Sequence, residues 1–191
     1  MTLDDSKLSR DVTVLAAMSM EMDEYCRHEV LFWPMAEGNM PRLTLGGYFL
    51  RQHRLTALNH LLTPAEQSKV AEAIERFNEV TKERVVAIEM RVEQELQVRL
   101  RHWQTSLRDW QEHPPTIPVY AAGVEERAMM AALLARFSQA PGVADAQLPS
   151  RIAGLDQALR GRFRRGDFVW PAAWQPAYPE PLYWWLYGVP G

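Results

Sequence analysis

From Thr63 to Glu112 the chain runs for about fifty residues with no glycine and a single proline, Pro64, at the first helical position where proline is tolerated. A helix of that length spans on the order of 70 Å, more than twice the roughly 30 Å of a twenty-residue helix. Whatever else the chain forms must be arranged along it. Its start is marked by Thr63, Pro64 and Glu66, which have the form of a capping box. In that motif the threonine hydroxyl accepts from the backbone while the glutamate reaches back to the cap. His113, Pro114 and Pro115 mark its end. Val70, Ile74, Phe77, Thr81, Val85, Ile88, Val92, Leu96, Trp103, Leu107 and Trp110 form one apolar stripe, widened by Ala73, Val80, Ala87 and Val98. Its mean spacing of about 3.6 residues predicts a fairly straight member of a bundle and disfavours a left-handed two-stranded coiled coil.

Before this helix, Leu8, Val12, Leu15, Met22 and Cys26 recur at helical spacing, and Trp33 and Pro34 stop the pattern. A helix over residues 3–32 is expected, with Asp4 or Asp5 near its start. A Pro- and Gly-punctuated loop, Met35 to Gly47, leads to a second helix over 45–62. After the long helix (64–112), apolar patterns predict helices at 119–139 and at 150–164, the latter capped by Ser150, with Pro141 to Pro149 as linker. The expected fold class is all-α: a bundle of four to five helices within residues 1–166. Residues 167–191 carry five prolines among eight aromatics and predict an extended strap packed on the bundle or on a partner subunit. No strand-like alternation of convincing length is present.

The first helix, at about 40 Å, covers only half of the long one. Trp103, Leu107 and Trp110 must then be covered by later helices, by the tail or by a second copy, and a homodimer is the simplest expectation. Trp184, Trp185 and Tyr187 are the tail's candidates for such an interface, because tyrosine and tryptophan join apolar area to a polar handle.

A length of 191 residues, 47% of them hydrophobic and 24% charged, suits one globular domain. The net charge of −3 gives no overall attraction to nucleic acid or anionic lipid. One cysteine forms no intramolecular disulfide and builds no zinc site alone. No basic n-region with an apolar run opens the chain, and no stretch is apolar enough to span a membrane. A cytoplasmic protein is expected, without membrane contact and without a cofactor.

No nucleophile motif, phosphate loop or metal-ligand cluster is present, so no catalytic residue is assigned. Glu21, Glu24 and His28 share a helical ridge, the weak case for a metal, but that ridge points away from the apolar stripe. Cys26, inside the stripe, reads as a small buried hydrophobe. Arg51 falls within the apolar stripe of the second helix (Tyr48, Leu55, Leu58, Leu62), while Asp11 and Glu29 edge the stripe of the first. A buried charge must be paired, so Arg51 is expected to meet Asp11 or Glu29. With His53, these residues form a candidate polar pocket near Trp33 and Tyr48, under a loop able to act as a lid. His53 and His60, two turns apart, do not chelate one metal between them. Arg160, Arg162, Arg164 and Arg165 surround Phe163 as the one concentrated basic patch. It suggests either phosphate contacts, which makes nucleic acid an unfavoured third reading, or pairing with Glu89, Glu93 and Glu95 on the long helix.

Three functions follow in order: a non-catalytic bundle acting through protein association, a bundle that binds a small molecule or metal, and weak nucleic-acid binding through Arg160 to Arg165.

Overall fold

The capping box at Thr63 forms as its sequence predicts. Glu66 N donates to Thr63 Oγ1 over 3.3 Å and Thr63 N donates to Glu66 Oε2 over 2.9 Å. Ser9 Oγ also donates to Glu66 Oε1, over 2.6 Å, tying the first helix to the start of the long one. A computed structural model describes residues 3–137 and 147–191. In it the chain is all-α apart from a two-stranded ribbon: α1 (Leu3–Arg27), α2 (Leu45–Ala57), α3 (Pro64–Glu112), α4 (Ile117–Gly123), α5 (Glu125–Phe137), α6 (Leu148–Arg160), β1 (Phe163–Phe168) and β2 (Tyr187–Pro190).

The long helix has its expected length but is not straight. Arg84, with φ −122° and ψ 26°, lies outside helical geometry and divides α3 into two arms. Two contacts of α2 measure the turn. Gly46 N donates to Glu95 Oε1 on the second arm over 2.9 Å, and the Tyr48 hydroxyl donates to Ala73 O on the first over 3.1 Å. On a straight helix Ala73 and Glu95 would lie about 33 Å apart. Two side chains and two residues of α2 reach about 25 Å at full stretch. The arms therefore fold toward each other around α2. No proline or glycine sits at the bend, where Arg84 Nε donates to Asp23 Oδ1 of α1 over 3.0 Å. The bend also breaks the apolar stripe: Val85, expected inward, is 48% exposed, and burial resumes at Ile88.

The core runs continuously through both arms. Leu8, Val12, Leu15, Met18 and Met22 of α1 pack with Tyr48, Leu55 and Leu58 of α2 and with Phe77 of α3. Tyr48 stacks on Phe77 with ring centroids 4.7 Å apart. The second arm is covered within the same chain. Trp103, Leu107 and Trp110 are all buried, and Trp110 lies against α4 so closely that a Cβ at Gly123 would stand 2.6 Å from its ring. The distal half that pointed to a second copy is covered by α4 and the C-terminal segment of the same chain.

Several ends differ from the expected ones. Helix α1 stops at Arg27 instead of residue 32, because the chain turns to pair Trp33 with Leu43 through bonds of 3.1 and 2.9 Å. Helix α2 stops at Ala57, and a 3-10 turn, Asn59–Leu61, replaces its last residues. The helix expected over 119–139 is divided at Val124 into α4 and α5. Its last two residues lie outside the described residues, as do the side chains of Asp4 and Asp5 and most of the Pro141 to Pro149 linker. Helix α6 ends at Arg160, four residues before the expected end.

The C-terminal segment is not simply extended. Strands β1 and β2 pair antiparallel, Phe163 with Pro190 and Arg165 with Gly188, with a register shift between Arg165 and Phe168. Gly188 has φ 139°, a conformation L side chains rarely adopt. Between the strands, 3-10 turns at Ala172–Ala177 and Trp184–Leu186 carry the aromatics onto the bundle. The Tyr120 hydroxyl donates to Trp185 O over 2.7 Å, and Trp170 Nε1 donates to Ala121 O over 2.8 Å. The tail packs on its own bundle as a cap.

Gly46 carries the closest helix approach, since a Cβ there would stand 2.5 Å from Glu95 Oε1 and 3.1 Å from Met129 Cβ. Gly46→Ala is expected to lower stability by about 1–3 kcal/mol, the range for overpacking a tight site, measured as a shift of the urea midpoint with unchanged slope.

Candidate functional site

Helix α2 has no acidic residue in its first turn, so its free N–H groups and positive dipole end need an acceptor from elsewhere. Glu95, fully buried on the second arm of α3, supplies it. Leu45 N and Gly46 N each donate to its carboxylate over 2.9 Å, and Thr44 Oγ1 accepts from Gly47 N over 3.0 Å. Arg99, one turn on, donates from Nε to Glu95 over 2.7 Å and from its terminal nitrogens to Glu126 (2.8 Å) and Thr44 Oγ1 (2.9 Å). Burial alone would lower the Arg99 pKa; Glu95 and Glu126 outweigh it and hold the guanidinium above its ordinary value. The clamp fixes α2, both ends of its first turn, and α5 against α3.

Further along α2, Asp11 of α1 receives two arginines. Arg54 Nη1 donates to Asp11 Oδ2, and Arg54 Nε donates to the Tyr178 hydroxyl over 3.1 Å. The Arg54 guanidinium also lies 3.4 Å over the centre of the Trp174 ring. Arg51 Nε stands 3.3 Å from Asp11 Oδ1 without hydrogen-bond alignment, and Arg51 Nη1 donates to Gly47 O over 2.8 Å. Burial lowers the Arg51 pKa; Asp11 opposes that shift and Arg54 adds to it. Burial pushes the Tyr178 hydroxyl up to about 12, despite the pull of Arg54.

These arginines wall a cleft. Its inner part, about 260 Å³, lies among Thr44, Arg42, Arg54, Arg99, Glu125 and Met129. Its outer part, about 490 Å³, extends past Lys7, Arg10, Gly38, Asn39 and Met40. Asp11, Pro41, Arg51 and Trp174 line both. The loop expected as a lid forms the outer wall, held by Arg10 Nη2 donating to Asn39 O over 2.7 Å. Glu125 is open to solvent at the rim. Partial desolvation still raises its carboxyl above the ordinary glutamate value, against the pull of Arg51 and Arg54.

The structure brings some of the predicted site residues together and separates others. Asp11 and Arg51 meet as expected; Glu29 is exposed and takes no part. Trp33 is instead part of the loop base, donating from Nε1 to Glu21 Oε2 over 2.8 Å. Tyr48 is core. His53 faces a separate groove, with Nε2 2.8 Å from Ala177 O and 3.3 Å from the Tyr183 hydroxyl. His60 is exposed. Glu24 and His28 lie 3.9 Å apart on an exposed face, and Glu21 spends its second oxygen on Ala36 N (3.1 Å). No group of His, Cys, Asp or Glu among the described residues is placed to hold a metal ion. Nor is any helix among them long and apolar enough to cross a membrane.

The basic patch is spent partly on its own chain. Arg160 lies 3.9 Å over the Trp184 ring, Arg162 Nη2 donates to Leu107 O over 2.5 Å, and Arg165 Nε donates to Glu180 over 2.7 Å. Glu95, one of its expected partners, is taken by Arg99 and α2. Of the tail's interface candidates, Trp185 and Tyr187 are buried in this chain, with Arg127 3.9 Å over the Trp185 ring. Sequence reading missed Arg54 and Arg99, and it gave Glu95 to the basic patch instead of to α2 and Arg99. The first signal for Arg54 was its position three residues after Arg51 on the same ridge.

No protein-family model matches the chain, and no curated protein or solved structure is significantly similar to it.

Two outcomes follow from the buried groups. Glu95→Gln leaves the Arg99 guanidinium short of a buried countercharge and should cost about 3 kcal/mol or more, measured by urea denaturation; a loss under 1 kcal/mol contradicts the clamp. Burial pushes the Cys26 thiol up to about 11, so reaction with a thiol reagent at neutral pH should run on the order of 100-fold slower in the folded chain than in urea.

Proposed function

We propose that the protein is a non-catalytic binding module for small acidic molecules, held in the cleft between α1, α2, α5 and the C-terminal cap. The observation that carries this reading is the sharing of one carboxylate by two guanidiniums. Arg54 bonds one oxygen of Asp11, Oδ2, and Arg51 has only a misaligned contact with the other, Oδ1, on a wall common to both parts of the cleft. A guanidinium held in a partly buried cleft without a bidentate partner is a ready receptor for a carboxylate or phosphoryl oxygen. Trp174 gives the same wall an apolar surface, and ligand sites of this kind combine such surface with a few fixed polar groups. Among the described residues lining the cleft no nucleophile is paired with a base, which favours binding over catalysis.

Association is the second reading, and it now rests on a different surface from the tail. Val85, Val86 and Met90 stand 48, 65 and 56% exposed just beyond the bend of α3. Such a patch suits a protein contact, a second copy included.

Native mass spectrometry separates the readings. The purified chain, incubated with a mixture of carboxylated and phosphorylated small molecules, is expected to carry one acidic adduct that Arg51→Met loses. A chain that never takes up an adduct overturns the binding reading, and a dimer that Val86→Glu dissociates supports the second one.

A further inference from the structure

The cleft holds more positive charge than its own carboxylates neutralise. Arg99 carries one positive charge against the two carboxylates of Glu95 and Glu126, so that group leaves one net negative charge beside the cleft. Five cations then remain along the walls: Lys7, Arg10, Arg42, Arg51 and Arg54. Among the described residues they face two carboxylates of the lining, Asp11 and Glu125, and with the extra carboxylate beside Arg99 the surplus is two positive charges. Lys7, Arg10 and Arg42 form no ion pair among the described residues; Arg42 Nη1 donates only to Phe32 O, over 3.3 Å. This concentration occurs in a chain of net charge −3, so it is local and not a consequence of overall composition. Walls of low dielectric strengthen the field such a cluster places in the space between them.

Hydrogen bonding points the same way. Arg51 Nε and Trp174 Nε1 are buried donors with no hydrogen-bond acceptor among the described residues, and both residues line the inner and the outer cavity. A buried donor left without an acceptor is costly. The inner cavity, at about 260 Å³, admits only a compact group, whereas the outer one leaves room for the rest of a larger molecule. A single negative charge would leave half of the surplus standing.

We infer that the cleft takes a compact oxyanion carrying two or more negative charges, the chemistry shared by phosphoryl compounds and polycarboxylates, with Arg51 and Arg42 as its principal holders. The inference rests on the small-acid reading above and sharpens it to multiply charged ligands.

Isothermal titration calorimetry of the full chain at constant ionic strength tests it, with inorganic pyrophosphate, citrate and acetate as probes. Pyrophosphate or citrate is expected to bind one to one and at least about tenfold more tightly than acetate. The tighter of the two identifies the phosphoryl or the polycarboxylate source. Arg42→Gln, on an exposed side chain, and Arg51→Met should each weaken that binding about tenfold or more; if Arg51→Met fails to fold, Arg42→Gln decides. Acetate binding as tightly as both polyanions, or Arg42→Gln retaining full affinity, overturns the inference while leaving small-acid binding in place. No saturable binding of any of the three overturns both.

Discussion

A buried carboxylate at the start of a helix organises this protein. Glu95 has no exposed surface, and a charge so placed persists only when paired and hydrogen-bonded. Its partners come from two directions: the free backbone N–H groups of α2 and the guanidinium of Arg99. Satisfying Glu95 therefore requires the N-terminus of α2 to stand against the second arm of α3. The other end of the same turn, Tyr48, stands against the first arm. The bend at Arg84 is the geometric consequence of meeting both demands with a 13-residue helix. Small residues make it sterically feasible, since Gly46 and Gly47 lead α2 where side chains would strike Glu95, Arg99 or Thr44.

The same placement of α2 creates the cleft. With its first turn held by Glu95, α2 presents Arg51 and Arg54 to Asp11 on α1, and Arg54 in turn stacks beneath Trp174 of the C-terminal cap. Arginine suits this position because its planar head pairs with a carboxylate at its edge while an aromatic ring covers its face. Arg127 repeats the arrangement, gripping Asp156 through two bonds of 2.9 and 2.8 Å and lying over Trp185. The cap is thus fastened by cations on the helices meeting aromatics on the tail. Proline-rich chain, which forms few backbone bonds of its own, is held in place by side chains instead. One wall of the cleft belongs to this cap, so tail and site are parts of one construction.

Local signals were legible in the sequence, while long-range ones were legible only where a misplaced charge demanded a partner. The capping box at Thr63 and the full length of α3 are written in adjacent residues, and both appear as expected. The Asp11 and Arg51 contact was legible because a charge inside an apolar stripe demands a partner. The bend was not, because Arg84 is neither proline nor glycine and its cause lies in contacts that Gly46 and Tyr48, far away in sequence, make with both arms. Glu95 read as one of many surface glutamates on a charged helix, and only the tertiary fold distinguishes it. The aromatic density of the tail signalled burial correctly. Its covering partners, Arg54 and Tyr120, lie more than sixty residues upstream, so packing within one chain could not be told from packing between two.

Double electron–electron resonance between spin labels at Glu72→Cys and Arg108→Cys tests this account most directly, since both sites are exposed and the native Cys26 is buried. A straight α3 would place those positions about 54 Å apart. The bend imposed by Glu95 and Tyr48 predicts a single population well below that, under about 45 Å, which lengthens in Glu95→Gln. A distance at or above about 50 Å in the unmodified background would contradict it.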